Sequence, residues 1–210
     1  MRKVLIAICT ALVLVGVGVG VYFGVAKHNK SEETSYVGCH AYDWAEVLAD
    51  DIAYMDSTYV DSATIVRFFE STVKLDTYLD EFVPDSLVYP VFVSNMFQAQ
   101  TTMPDGGTVV KVVYLTHPTV SVDVFPETEV DVLETFAVED DDVELPVVMD
   151  PVQMYDRLAA TDCEKPHTNF AVLRHPVDTT NKTLWIAGSE KTFYVAVVVE
   201  TGDVIPYNEK

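Results

Sequence analysis

From Ala41 onward, apolar residues recur at helical steps. Trp44, Val47, Leu48, Ile52 and Met55 stand three or four positions apart, with Asp50 and Asp51 between them. That spacing lines one face of a helix. A second helix is expected after Asp61, whose carboxylate can cap it. Ile65, Phe68, Phe69, Val73, Leu79 and Phe82 supply its apolar face, and Pro84 its stop. Residues 87–97, "LVYPVFVSNMF", read as extended, because Pro90 breaks a helical run.

Beyond the turn "MPDGG" at 103–107 the period changes to two. "TVVKVVYLT" and "TVSVDVF" read as the strands of a hairpin joined through His117-Pro118. "TEVDVLETFAV" at 128–138 continues in strand composition, and "EDDD" at 139–142 reads as a solvated loop. Asp150, Pro151 and Gln153 make a strong helix start: an N-cap aspartate, proline in the first turn and glutamine three residues on. That helix runs through Met154, Tyr155, Leu158 and Ala159 to about Thr161. "FAVLRH", "TLWIAG" and "TFYVAVVVE" read as three further strands. The order predicts an α+β domain in which two N-terminal helices precede a mainly antiparallel sheet.

The first 26 residues follow a different pattern. Arg2 and Lys3 precede an uncharged run of 23 residues from Val4 to Ala26, and the polar "KHNKSEETSYVG" follows it. As a helix rising about 1.5 Å per residue, the run is long enough for a bilayer core of ~30 Å. Its thirteen Val, Leu, Ile and Phe residues favour insertion. A removable export signal is the competing reading. Residues 4–15 would form its core, with Gly16-Val17-Gly18 or Gly24-Val25-Ala26 at the cut. The expected organisation is a signal-anchor, transmembrane segment over 1–26, a polar tether over 27–38 and an acidic α+β domain over 39–210. The N-terminus is then cytoplasmic and the domain exported, or secreted if the segment is removed. The bilayer is the first expected partner, through residues 4–26. Gly16, Gly20 and Gly24 repeat at four-residue spacing, which lets membrane helices pack closely and form a homo-oligomer. Alternation of valine and glycine generates the same spacing without any such role.

Charge separates the same two regions. Residues 1–30 hold four basic and no acidic side chains, so residues 31–210 carry 9 Lys and Arg against 33 Asp and Glu, a formal charge of −24. Such a domain is repelled by phosphate backbones and anionic headgroups, which argues against a nucleic-acid partner and for cations or basic proteins. Of the three cysteines, Cys9 lies in the apolar run. Cys39 and Cys163 form the candidate disulfide of an exported domain. Closing a loop of that length is worth about 4–5 kcal/mol in the chain-entropy model.

Local catalytic motifs are absent: there is no Gly-x-Ser-x-Gly, Walker loop, Gly-x-Gly-x-x-Gly opening a helix after a strand, or His-Glu-x-x-His. His40, His117, His167 and His175 could converge with carboxylates on a metal, but no His-x-His or His-x3-His pair supports it. The 139–142 run lacks the ligand and glycine spacing of a calcium loop, and Glu127, Glu129 and Asp131 alternate as the solvent face of a strand would. No catalytic, cofactor-binding or metal-ligating residue is assigned, and no cofactor is expected. The expected function is that of a membrane-anchored extracytoplasmic binding domain, associated with a cell envelope or a virion. The alternatives are an exported hydrolase or metal-dependent enzyme, and a structural membrane protein oligomerising through its N-terminal helix.

Overall fold

The computed structural model describes residues 39–61, 63–76, 89–134, 140–161, 170–177, 182–189 and 192–207. Strand β1 spans Thr64–Asp76, β2 Tyr89–Thr102, β3 Thr108–His117, β4 Glu129–Glu134, β5 Phe170–Arg174, β6 Leu184–Ser189, β7 Thr192–Val198 and β8 Val204–Pro206. They form one eight-stranded sheet in the order β4-β3-β2-β1-β5-β6-β7-β8. Every neighbouring pair is antiparallel. Among the described residues two helices accompany it, α1 at Trp44–Tyr59 and α2 at Pro151–Ala159.

The second helix begins at the cap expected from sequence, Asp150, and the first begins at Asp43, inside the helical pattern that starts at Ala41. Asp43 accepts from the amides of Ala45 at 3.0 Å and Glu46 at 3.2 Å, using two donors that a helix start otherwise leaves unpaired. Asp150 accepts from the Gln153 amide at 2.8 Å, and the Gln153 side chain accepts from the Asp150 amide at 3.0 Å. This reciprocal pair is a capping box.

The α+β expectation, with two helices ahead of the sheet, is overturned by residues 64–76. They form β1, a central strand paired with β2 on one side and β5 on the other. The false helical period has a local cause. The register against β2 shifts between Phe68 and Glu70, so Phe69 is an extra residue, and Phe68 and Phe69 are both buried. A bulge inserts one residue into an alternating strand. Here that insertion breaks the period of two and leaves apolar positions at three- and four-residue steps. Beyond the bulge, alternation resumes with Ser71, Val73 and Leu75 buried. The expected end of that helix, at Leu79, Phe82 and Pro84, lies outside the described residues.

The expected hairpin through His117-Pro118 is also corrected. Residues 119–125 form no strand; only Ser121 makes a bridge, to Cys39, and β3 pairs instead with β4. Val122, Val124 and Phe125 are exposed, so the alternation there has no interior to face. Among the described residues no helix is long and apolar enough to cross a membrane. The transmembrane segment assigned to residues 4–26, with Gly16, Gly20 and Gly24, and the tether over 27–38 lie outside the described residues.

The main core joins both helices to the sheet. Trp44, Leu48 and Met55 of α1 and Met154, Tyr155 and Leu158 of α2 pack with Val73, Val93, Phe97, Leu115, Trp185 and Val197. Trp44 meets Trp185 edge-on at 5.5 Å between ring centroids. Both indoles keep a hydrogen bond. Trp44 donates to Ser71 Oγ at 2.8 Å and Trp185 to the Met149 carbonyl at 2.9 Å. A second, smaller cluster of Leu184, Ile186, Ala196, Val198 and Tyr207 uses the opposite side of β6 and β7.

Candidate functional site

Asp51, Asn95 and His117 are polar groups aimed into the main core. In α1 the buried residues are Trp44, Leu48, Asp51 and Met55, so Asp51 occupies a place on the apolar face. In β2 Asn95 lies between Val93 and Phe97 in the inward alternation, and in β3 His117 follows Val113 and Leu115. The β2–β3 register pairs Asn95 with Leu115 and Val93 with His117, which sets the amide and the imidazole on one face. Asp51 is 3% exposed, Asn95 0% and His117 9%.

These groups satisfy one another. His117 Nε2 lies 3.0 and 3.2 Å from the two Asp51 oxygens, and Asn95 Nδ2 donates to Asp51 Oδ2 at 2.7 Å. The Thr128 hydroxyl stands 3.3 Å from His117 Nδ1. A carboxylate removed from water is costly unless it is paired and hydrogen-bonded, and here two donors meet it. In the tautomer whose Nε2–H donates to Asp51, His117 Nδ1 is left to accept from the Thr128 hydroxyl. Tyr42 stacks edge-on with His117 at 5.8 Å and with His40 at 4.9 Å, and its hydroxyl donates to the Pro118 carbonyl at 2.7 Å. Asn95 Oδ1 is buried with no hydrogen-bond partner among the described residues.

Carboxylate, imidazole and hydroxyl therefore follow one another from the buried Asp51 to the exposed Thr128. This connectivity can move a proton between a hydroxyl and an imidazole. It also ties α1 to β2 and β3. Asp51, Asn95 and Thr128 escape a search for local motifs, because the cluster has no sequence spacing. Its legible signal is three polar residues on otherwise apolar, inward-facing periods.

A second polar group occupies the opposite side of the sheet. Arg174 in β5 pairs with Asp140, its Nε donating at 2.7 Å. Glu70 faces Arg174 in the β1–β5 register. Burial pushes the Glu70 carboxyl above its usual range; the Thr72 hydroxyl and Arg174 oppose the shift and Asp140 reinforces it. The Tyr114 phenol is raised by burial and then by Glu70. The run at 139–142, expected as a solvated loop, thus supplies through Asp140 the partner of a half-buried arginine.

The third feature is a surface. All six residues of β4 are exposed, Val130, Val132 and Leu133 included. The loop leading into it exposes Val122, Val124 and Phe125, the last at 92%. Asp123, Glu127, Glu129, Asp131 and Glu134 alternate with these apolar residues.

Of the four histidines considered for a metal, His40 and His117 flank Tyr42, and His175 lies beyond β5, 3.4 Å from the Thr183 hydroxyl. His167 lies outside the described residues. No group of three or more His, Cys, Asp or Glu suited to a metal occurs among the described residues. Cys39 carries a free, half-buried thiol; Cys163, its expected partner, lies outside the described residues. No protein-family model, curated protein or solved structure matches the chain.

Proposed function

We propose that residues 39–210 are an exported binding domain, delivered to a membrane by the apolar segment 4–26, which engages a basic protein through the surface around β4. One observation carries the reading: an edge strand with every residue exposed, preceded by a phenylalanine that is 92% exposed. Soluble domains ordinarily blunt or cover such edges, and exposed apolar patches rimmed by polar residues mark contact sites. The acidic side chains interleaved with the patch set the sign of the partner. Like charge repels nucleic acid, anionic lipid and other copies of the domain, whereas a basic protein is steered toward it.

The test is a photoreactive side chain at Phe125 in the full-length chain, expressed in the cells that make it. A protein adduct is expected, and Glu129→Lys with Asp131→Lys should abolish it. No adduct, or one indifferent to charge reversal, would sink the reading. Alkaline extraction with intact-mass analysis of the same sample reports whether residues 4–26 are retained or removed.

A second reading, an exported hydrolase, is favoured by the Asp51, His117 and Thr128 arrangement. It expects a fluorophosphonate to label Thr128 in the parent chain and not in His117→Gln. Without that adduct the cluster is a structural tie.

A further inference from the structure

We propose that β4 accepts an extended, basic strand from a partner protein, which continues the sheet beyond its present edge. The inference rests on the proposed binding function and adds its geometry and ligand chemistry.

The two edges of the sheet are unequal. At one end β8 has three residues and finishes on Pro206, which offers no amide. At the other, β4 pairs with β3 over six positions, from Thr116 opposite Glu129 to Lys111 opposite Glu134. No described strand lies beyond it. A strand bonded on one side presents its remaining amides and carbonyls on the other, ready for a further strand.

The side chains of β4 specify what that strand carries. Alternation puts Glu129, Asp131 and Leu133 on one face and Val130, Val132 and Glu134 on the other. Directly opposed residues on adjacent strands interact, favourably when charges are opposite and unfavourably when they are alike. The matching segment therefore alternates Lys or Arg, set against Glu129 and Asp131, with apolar residues set against Val130 and Val132. Phe125, Val124 and Val122 extend the apolar contact into the loop ahead of β4. Aromatic anchors of this kind commonly dominate an interface.

A second copy of the chain does not fit. The fully overlapped antiparallel register sets Glu129 opposite Glu134 at both ends. Centring the pair on Asp131 brings two aspartates together. Each domain also carries the same large negative charge.

The test uses the full-length chain in detergent micelles and two peptides of equal composition, one alternating lysine and valine, the other with them in blocks. The alternating peptide at ten times its Kd should slow exchange of the β4 amides about tenfold, since they exchange only when the ligand is off. Binding should weaken with salt and disappear in Glu129→Lys with Asp131→Lys. Equal binding of both peptides without β4 protection would overturn strand addition while leaving the acidic surface as a binding site. Protection that appears without peptide and grows with protein concentration would replace the basic strand with a second copy. Failure of both peptides while Phe125 still cross-links to a protein would remove the basic-strand ligand. Loss of the cross-link as well would remove the binding function.

Discussion

Strands β4 and β7 are both rich in valine and lie in one sheet, yet they have opposite surroundings. In β7, Val195, Ala196, Val197 and Val198 are all buried, and in β6 so are Leu184, Trp185, Ile186 and Ala187, so both sides of these strands are covered. In β4 nothing is buried. Strand propensity does not separate them; what alternates with the valines does. An apolar neighbour allows a second face to pack, as in the Leu184, Ile186, Ala196 and Val198 cluster. An acidic neighbour prevents burial unless donors accompany it, because an unpaired carboxylate in the interior is expensive. Asp51 shows the alternative, buried with Asn95 and His117 as its donors. The covered strands contribute buried apolar area, and the acidic strand stays exposed.

The contrast is broken most severely at Trp185. Trp185→Ala should cost about 3–5 kcal/mol in chemical denaturation, because the indole is 0% exposed and donates to Met149. Leu133→Ala in β4 should stay within ~0.5 kcal/mol. Similar losses for the two would erase the distinction. Next in size is Asp51→Ala, which strips Asn95 and His117 of their shared acceptor. A loss of about 1–3 kcal/mol is expected, with earlier exchange of the α1 amides. Unchanged stability would show that the cluster does not hold α1.

Glu70 tests the same principle with pH. Its carboxyl binds a proton more tightly folded than unfolded, where the ordinary value is 4.5. Its contribution is therefore most favourable below that value and is lost as pH rises through the raised one. Glu70→Gln should melt higher than the parent at pH 7, with the advantage gone below pH 4.5. An advantage independent of pH would contradict the assigned cause. The smallest effect belongs to the edge: Glu129→Lys with Asp131→Lys should move stability by no more than ~0.5 kcal/mol. A larger loss would mean that β4 is held by its charges.

Legibility in the sequence followed local chemistry. The cap at Asp150 holds where the sequence places it, and strand composition marks β3, β5, β6 and β7 but not the three-residue β8. β1 was misread because one extra residue at Phe69 disguised its period, and its strand state comes from pairing with β2 and β5. The loop at 119–125 failed in reverse, since its alternation was sound but no partner strand faced it. Asp51 looked like one more acid in an acidic chain. Its place on the face of Trp44, Leu48 and Met55 was the clue, and its ligands lie 44 and 66 residues away.

The sequence by itself determined the charge of residues 31–210, the apolar N-terminal run, the capped start of α2 and the extended character of most strands. Each of these is a property of a segment and its immediate neighbours. Tertiary structure alone decided that residues 64–76 would be a strand, that Asp51, Asn95 and His117 would meet, and that β4 would lie at an edge. Those outcomes depend on which distant segment supplies hydrogen bonds and which side chains exclude water, and no local period encodes either.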